Sequence, residues 1–412
     1  MIDEVGKRAR DASHLLRGST GSARAAALIA MAEAVMDDSA VILGANGEDM
    51  GQASTEGIAG ALLDRLRLTD DRLSGMAASL RKVAALPDPV GRETGGWSLH
   101  NGVRLHRVRV PLGVVAVIYE ARPNVTADAS GLCIRSGNAV ILRGSSYALR
   151  SNRSITDALR RALQEVGLPE DGIQLLDDTT REGARSLMQA TEWVDLLVPR
   201  GGPGLIDAVK RDATVPTVID GAGNCHVYVD VDADLDKAAS IVLNAKTQRP
   251  GVCNAAEKLL VHGDIAEQFL PVMVKALEAE GVEMRGDDRV RAIAPVVGEA
   301  GELDWSTEYL DMIIAIAMVD DVGGAIEHVR RYGTGHTEAI VTETISTAER
   351  FIDGIDTAVV AVNTSTRFTD GEEFGFGAEI GNSTQKLHVR GPMGLESLTS
   401  ERYVLYGDGQ TR

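Results

Sequence analysis

The sequence predicts an α/β protein with two domains built on parallel sheets and a small additional β element. Three observations carry this. From Pro111 onward, short apolar runs rich in β-branched residues alternate with helical stretches, the pattern of parallel strands covered on both faces. The alternation comes in two blocks, and the Gly-rich joints Gly201–Gly204 and Gly221–Gly223 lie near their boundary. The chain has 412 residues, which at about 150 per domain leaves room for two or three domains.

The elements follow in chain order. Residues 1–16, MIDEVGKRARDASHLL, read as an amphipathic helix, and the Ala-rich stretches Ala23–Met36 and Leu73–Leu86 keep the first hundred residues mainly helical. Trp97–Val110 alternates apolar and polar residues around Asn101-Gly102, the strongest short hairpin signal. Strands are predicted at Gly113–Tyr119, Ala139–Leu142, Ile173–Leu176, Trp193–Val198 and Val215–Ile219. Helices are predicted near Val125–Arg135, Leu149–Val166, Arg181–Ala190 and Leu205–Arg211. The second block reads as helix Leu235–Lys246, strand Lys258–His262 and helix Ile265–Ala279. It continues with strand Met312–Val319, helix Val322–Arg331, and strands Glu338–Thr342 and Ala358–Val362. Phe374–Arg390 is Gly-rich and polar, and Arg402–Tyr406 forms a final strand.

Composition excludes several functions. Sixty acidic against 42 basic residues give a formal charge of −18, which argues against a general nucleic-acid or anionic-membrane binder. No apolar run reaches the length of a membrane helix. Three cysteines exclude a disulfide scaffold, and the start lacks the apolar core of a secretory signal. A reducing cytoplasm is the expected setting. Glycine is in excess, 44 residues or about 11% against a usual 7%, which points to tight turns or to backbone brought close to a ligand.

Few residues offer chemistry. Cys133 sits in an apolar helical stretch and reads as a core thiol. Cys225 and His226 are adjacent in a strand and point to opposite faces, so they cannot grip one metal. No Cys-x-x-Cys, His-x-x-x-His or Asp-rich calcium loop occurs, and no metal is expected. Cys253 lies in a loop between a helix and a strand, Thr247-Gln-Arg-Pro-Gly-Val-Cys253, four residues from Arg249. Lowering a thiol pKa from about 8.5 to about 6.5 takes roughly 2.7 kcal/mol, within reach of a nearby cation and backbone N–H groups. Locally, Cys253 is either a nucleophile or an inert thiol in a turn.

Two loops could hold phosphate. Arg143-Gly144-Ser145-Ser146 and Pro199-Arg200-Gly201-Gly202-Pro203-Gly204 each follow a strand and precede a helix, an arrangement that aims N–H donors at an anion. Ordinary strand-to-helix turns are the alternative. Asn124 could supply an oxyanion donor or cap a helix. His336 could be an acid or base, or a turn histidine. Glu308 could be a helix cap or a surface charge.

Longer blocks are more specific. They are Val110–Ala127 (VPLGVVAVIYEARPNVTA), Ser136–Ser146 (SGNAVILRGSS), Val198–Leu205 (VPRGGPGL), Gly223–Val231 (GNCHVYVDV) and Thr247–Gly263 (TQRPGVCNAAEKLLVHG). Phe376–Gln385 (FGAEIGNSTQ) and Val389–Ser400 (VRGPMGLESLTS) complete the set. In this order they resemble the γ-glutamyl phosphate reductase family, within the aldehyde dehydrogenase superfamily, over nearly the whole chain. The resemblance implies an aldehyde dehydrogenase-like fold. Its cofactor-binding domain would span 1–96 and 111–225, and its catalytic domain 226–384. A bridging element for homo-oligomer formation would span 97–110 and 385–412.

The same resemblance assigns roles. Cys253 is the nucleophile, and Asn124 with the Cys253 N–H holds the oxyanion. Arg143, with Gly144 and Ser145, meets the cofactor ribose, where its charge suits the 2′-phosphate of NADP. Arg200-Gly201-Gly202 lies near the pyrophosphate and nicotinamide, and Glu308 takes the nicotinamide ribose. The implied reaction is NADPH-dependent reduction of L-glutamyl 5-phosphate to L-glutamate 5-semialdehyde and phosphate through a Cys253 thioester. That is the second step of proline biosynthesis from glutamate, with glutamate 5-kinase as substrate donor. Arg249 and Lys246, close to Cys253 in sequence, are candidates for the departing phosphate. Three positions depart from relatives: Tyr147 where an acid is frequent, Asp220 with its acid shifted one place, and Asn382 in place of an apolar residue. The rival reading is a non-phosphorylating aldehyde dehydrogenase. It would need a deacylating base near Cys253, and the sequence offers only Asp220.

Overall fold

The computed structural model describes residues 2–58 and 60–412; Met1, at the head of the predicted first helix, lies outside the described residues. The chain forms two compact units. One runs to Ile219 and returns for Gly375–Gly381 and Met393–Arg412; the other is Asp220–Phe374 with Asn382–Pro392.

In the first unit, β1 (Glu93–Ser98) and β2 (Arg104–Pro111) form the predicted hairpin. Next come β3 (Val114–Tyr119), β4 (Ala139–Arg143), β5 (Ile173–Leu175) and β6 (Leu196–Arg200). These four make an all-parallel sheet in the order β5-β4-β3-β6. Every residue of β3 is buried, because helices cover both faces, and that explains its unbroken apolar sequence. The N-terminal helices start at predictable caps: Thr20 and Thr69 accept the N–H groups of Ala23 and Arg72 through their side chains.

Two expectations in this unit need correction. Val215–Ile219 is not a strand; it makes one isolated bridge, Thr217 with Leu197 of β6, because Pro216 has no N–H to extend a ladder. β6 also starts at Leu196 rather than Trp193. Trp193 is drawn to the first helix instead, donating its indole N–H to Asp3 at 3.1 Å, while Arg10 binds the Asp195 carboxylate at 2.7 and 3.2 Å.

The second unit is a seven-stranded, all-parallel sheet. Its strands are β7 (Cys225–Val229), β8 (Ala256–His262), β9 (Glu283–Gly286), β10 (Gly298–Glu299), β11 (Ile313–Val319), β12 (Thr337–Val341) and β13 (Val359–Val362). They are ordered β10-β9-β11-β8-β7-β12-β13. β7 and β8 are buried throughout. Val227, Val229, Leu259 and Val261 join the core beneath helices Leu235–Thr247 and Gly263–Ala279. Tyr228 and Leu260 face helix Val322–Tyr332 on the other side, as the alternation of strand side chains requires. β9 and β10 escaped the sequence reading because Glu-Met-Arg-Gly and Gly-Glu carry no apolar run.

A short pair follows, β14 (Asn382–Ser383) with β15 (Gly391–Pro392), and then β16 (Thr399–Tyr406). β16 starts three residues before the predicted strand and pairs antiparallel with β2, giving a three-stranded sheet β1-β2-β16 in the first unit. Trp97, Tyr403, Leu405 and Tyr406 stand exposed on it. No helix among the described residues is long and apolar enough to cross a membrane.

Candidate active site

The chemistry-bearing residues of the second unit share one end of its sheet. Gly223 and Asn224 precede β7, Cys253 precedes β8, Glu308 precedes β11 and His336 precedes β12. This is the amino end, opposite to the usual site of open α/β sheets. In the first unit the usual rule holds. Asn124 follows β3, Arg143-Gly144-Ser145 ends β4, and Arg200-Gly201-Gly202 ends β6. β3 and β6 are neighbours where the chain direction across the sheet reverses, the expected ligand crevice.

Cys253 is half-buried, and its loop is fixed on several sides. The next residue, Asn254, donates to the Thr369 carbonyl at 2.9 Å, and the Asn254 carbonyl accepts from Thr366 Oγ1 at 2.6 Å. The Cys253 carbonyl accepts from Cys225 Sγ at 3.2 Å. Gly223 lies against the same carbonyl so tightly that a Cβ there would sit 1.5 Å from the oxygen. Only glycine fits. The Gly223 N–H donates to the Glu308 carboxylate at 2.7 Å, linking the segment against the Cys253 loop to the loop before β11. Burial raises the Glu308 pKa, against the Gly223 N–H and Lys258, which lower it. Glu308 is therefore a half-buried acceptor, neither a helix cap nor a fully exposed surface charge.

Lys246 does not face the nucleophile loop as an open cation. Its side chain is fully buried and pairs with Glu257 at 3.3 Å, because helix Leu235–Thr247 turns that position toward the sheet. This removes the ground for placing it at the departing phosphate. A cation that sequence reasoning missed is nearby: Arg367, half-buried, donates Nε–H to Gln248 Oε1 at 2.8 Å. Burial lowers the Arg367 pKa first, Asp370 opposes this, and Arg249 and Cys253 are also felt. Arg249 and Cys253 therefore both lie near enough to act on the Arg367 charge. No local signal could have placed Arg367 beside a loop more than one hundred positions earlier.

The remaining titratable groups are structural. Burial pushes the Cys225 and Cys133 thiols up, leaving them un-ionised. His336 is buried and pushed down to about 4, and its Nδ1 lies 2.9 Å from Thr337 Oγ1. It is neutral at pH 7 and enclosed. Asp220 accepts the Asn382 N–H at 2.9 Å, so two of the departures from relatives meet in the fold. The third, Tyr147, packs with Ala53, Leu66 and Ala148.

In the first unit, Arg143 is half-buried, and its Nη2 donates to the carbonyls of Thr179 at 2.5 Å and Thr180 at 2.9 Å. Gly144 has no room for a side chain, since a Cβ would meet Asn152 Nδ2 at 2.1 Å. At Gly201 a Cβ would meet the Glu120 carboxyl carbon at 2.7 Å. Gly202 caps helix Pro203–Asp212, and its carbonyl accepts the N–H groups of Leu205 and Ile206 at 3.1 and 3.3 Å. Asn124 is the first residue of helix Asn124–Arg135, exposed, with its amide on Asp128 at 3.0 Å. The capping position belongs to Pro123.

Comparison with known proteins identifies the family. The model of the aldehyde dehydrogenase family matches residues 1–312. A gamma-glutamyl phosphate reductase of Moorella thermoacetica is 56% identical over 411 residues, covering 100% of this chain and 98% of that protein. One from Clostridium beijerinckii is 52% identical, with 99% and 98% covered. The crystal structure of gamma-glutamyl phosphate reductase from Thermotoga maritima superposes with a TM-score of 0.98 at 48% identity, covering 100% of this chain and 99% of that one. This chain belongs to the aldehyde dehydrogenase family, within its gamma-glutamyl phosphate reductase branch.

Proposed function

We propose that this protein reduces L-glutamyl 5-phosphate to L-glutamate 5-semialdehyde and phosphate, the second step from glutamate to proline. The observation that carries the reading is full-length identity of 50% or more to relatives of that name, together with a half-buried cysteine in a braced loop. The Cys253 thiolate attacks the acyl carbon, a C–S bond forms, the bond to the phosphate oxygen breaks, and phosphate leaves. Arg249 and Arg367 are the cations assigned here to balance the phosphate charge. The oxyanion is held by the Cys253 N–H, with Asn124 as the second donor that the family resemblance implies.

A nicotinamide cofactor follows from family membership. When bound, it would supply the hydride for the thioester carbonyl, and breaking of the C–S bond would then release the aldehyde and return Cys253 as the thiolate. The residues fit such a group. The Gly-rich loop at the end of β6 leads into the N-terminus of helix Pro203–Asp212, whose dipole favours an anion, and Arg143 at the end of β4 supplies a positive charge. Arg143 favours NADPH through the 2′-phosphate, while Arg200, Gly202, Ser145 and Glu308 complete the cofactor contacts. Arg143→Ala should raise KM for NADPH about tenfold, one charge-assisted hydrogen bond's worth, and leave KM for NADH nearly unchanged. Parallel titrations of the two cofactors check this.

Phosphate is a good leaving group, so no water need be activated, and Asp220 is engaged with the Asn382 backbone. Incubation with L-glutamyl 5-phosphate and no cofactor should leave a glutamyl adduct on Cys253 by intact mass. Semialdehyde oxidation should require phosphate; oxidation indifferent to phosphate would instead favour the acid-forming rival. A cytoplasmic setting keeps the thiol reduced. Glutamate 5-kinase is the proposed donor of the labile acyl phosphate, and the exposed aromatic sheet β1-β2-β16 the proposed contact of a homo-oligomer.

A further inference from the structure

Three ionisable side chains lie wholly inside the second unit just beyond the nucleophile loop: Lys246, Glu257 and Lys258. Burying charge is costly, and well-packed apolar residues of similar size are often at least as stabilising. Burial raises the Glu257 carboxyl and lowers both ammonium groups, and the ion pairs oppose those shifts. The mechanism above uses none of the three.

Their contacts converge on the loop that carries Glu308. Glu257 Oε2 accepts the Tyr309 N–H at 3.2 Å, and Glu257 Oε1 accepts the Leu310 N–H at 3.3 Å. Leu310 has φ +54°, a left-handed conformation that a branched residue adopts only when its surroundings impose it. Lys258 donates to the Thr307 carbonyl at 2.8 Å and lies 4.7 Å from the centre of the Tyr309 ring. Glu257, at an irregularity in the pairing of β8 with β7, and the next residue Lys258 thus both hold residues 307–310. Glu308 sits between the gripped positions, its carboxylate on the Gly223 N–H. β8 begins three residues after Cys253. One strand end therefore fixes both the nucleophile loop and the Glu308 loop.

We propose that Glu257 is a positioning residue: with Lys258, and charge-balanced by Lys246, it sets the Glu308 loop so that the Glu308 carboxylate meets the cofactor ribose in register with Cys253. This rests on the reading of Glu308 as a cofactor contact. Glu257 acts on hydride delivery through the cofactor and not on acyl transfer to sulfur.

The test uses the full chain with Glu257→Gln, Glu308→Gln and the double variant. Glutamine keeps the shape, but one of its two terminal atoms can no longer accept an N–H. In Glu257→Gln, thioester formation on Cys253 without cofactor should stay within about twofold of the parent, while KM for NADPH rises about tenfold. The double variant should be no worse than Glu308→Gln alone, because one residue works through the other. An equal fall in thioester formation, an unchanged KM, or multiplying effects in the double variant would overturn the proposal. If Glu308→Gln itself leaves KM for NADPH unchanged, the cofactor reading of Glu308 fails as well. A loss in Glu308→Gln without one in Glu257→Gln sinks only the positioning role. Should Glu257→Gln fail to fold, Lys258→Met, which removes the Thr307 bond but keeps the packed stem, must show the same split.

Discussion

Replacing Cys253 by Ala is expected to lower reductase turnover on the order of 10⁴-fold or more, the scale seen when a covalent nucleophile is removed. The fold should persist. The Cys253 side chain is half-exposed, and the bonds that brace its loop run through backbone and through Asn254, which the substitution leaves alone. Cofactor binding, read by fluorescence titration, should be little changed, and the glutamyl adduct should vanish from the mass spectrum. Cys225 cannot take over, because burial keeps its thiol protonated and enclosed. Turnover retained at even a tenth of the parent rate would exclude a Cys253 thioester.

Gly223→Ala should be nearly as severe, although Gly223 takes no chemical part. The added methyl would fall 1.5 Å from the Cys253 carbonyl oxygen and 2.8 Å from its Cα. The contact is backbone, so no side-chain rotation relieves it. The nucleophile loop must shift, and misplacing a reacting group by about 1 Å can cost on the order of 100-fold in rate. The shift also disturbs the Gly223 N–H bond to Glu308, so cofactor KM should rise together with the fall in kcat. Overpacking of this kind costs about 1–3 kcal/mol, or several degrees in Tm. Steady-state kinetics and the rate of Cys253 alkylation by iodoacetamide measure the two consequences. A variant with parent-like alkylation and kcat would show that the loop tolerates a side chain at 223.

Most secondary structure was legible in the sequence because its signals are local. Unbroken apolar runs marked β3 and β11 as buried strands, and Asn101-Gly102 marked the hairpin. The blocks around Cys253 and Arg143 marked the two loops to which the proposed nucleophile and cofactor end are assigned. Local signals failed where a neighbour decided the outcome. Pro216 cut short an apolar run, and the first helix drew Trp193 away from its strand. Lys246 shows the same limit within the site. Its nearness to Cys253 in sequence suggested a phosphate contact, but helical phase turned it onto buried Glu257.

The sequence by itself determined the two-block α/β pattern and the family, and singled out Cys253 as the proposed nucleophile. Only the tertiary structure decided what braces that nucleophile. Gly223 against the Cys253 carbonyl, Arg367 beside Arg249, and Glu257 holding the N–H groups of Tyr309 and Leu310 all depend on strand order in the second sheet. Periodicity and turn chemistry act over a few residues, whereas strand order emerges from how the whole unit buries its apolar faces. The contacts that aim the chemistry therefore appear only once the sheet is closed.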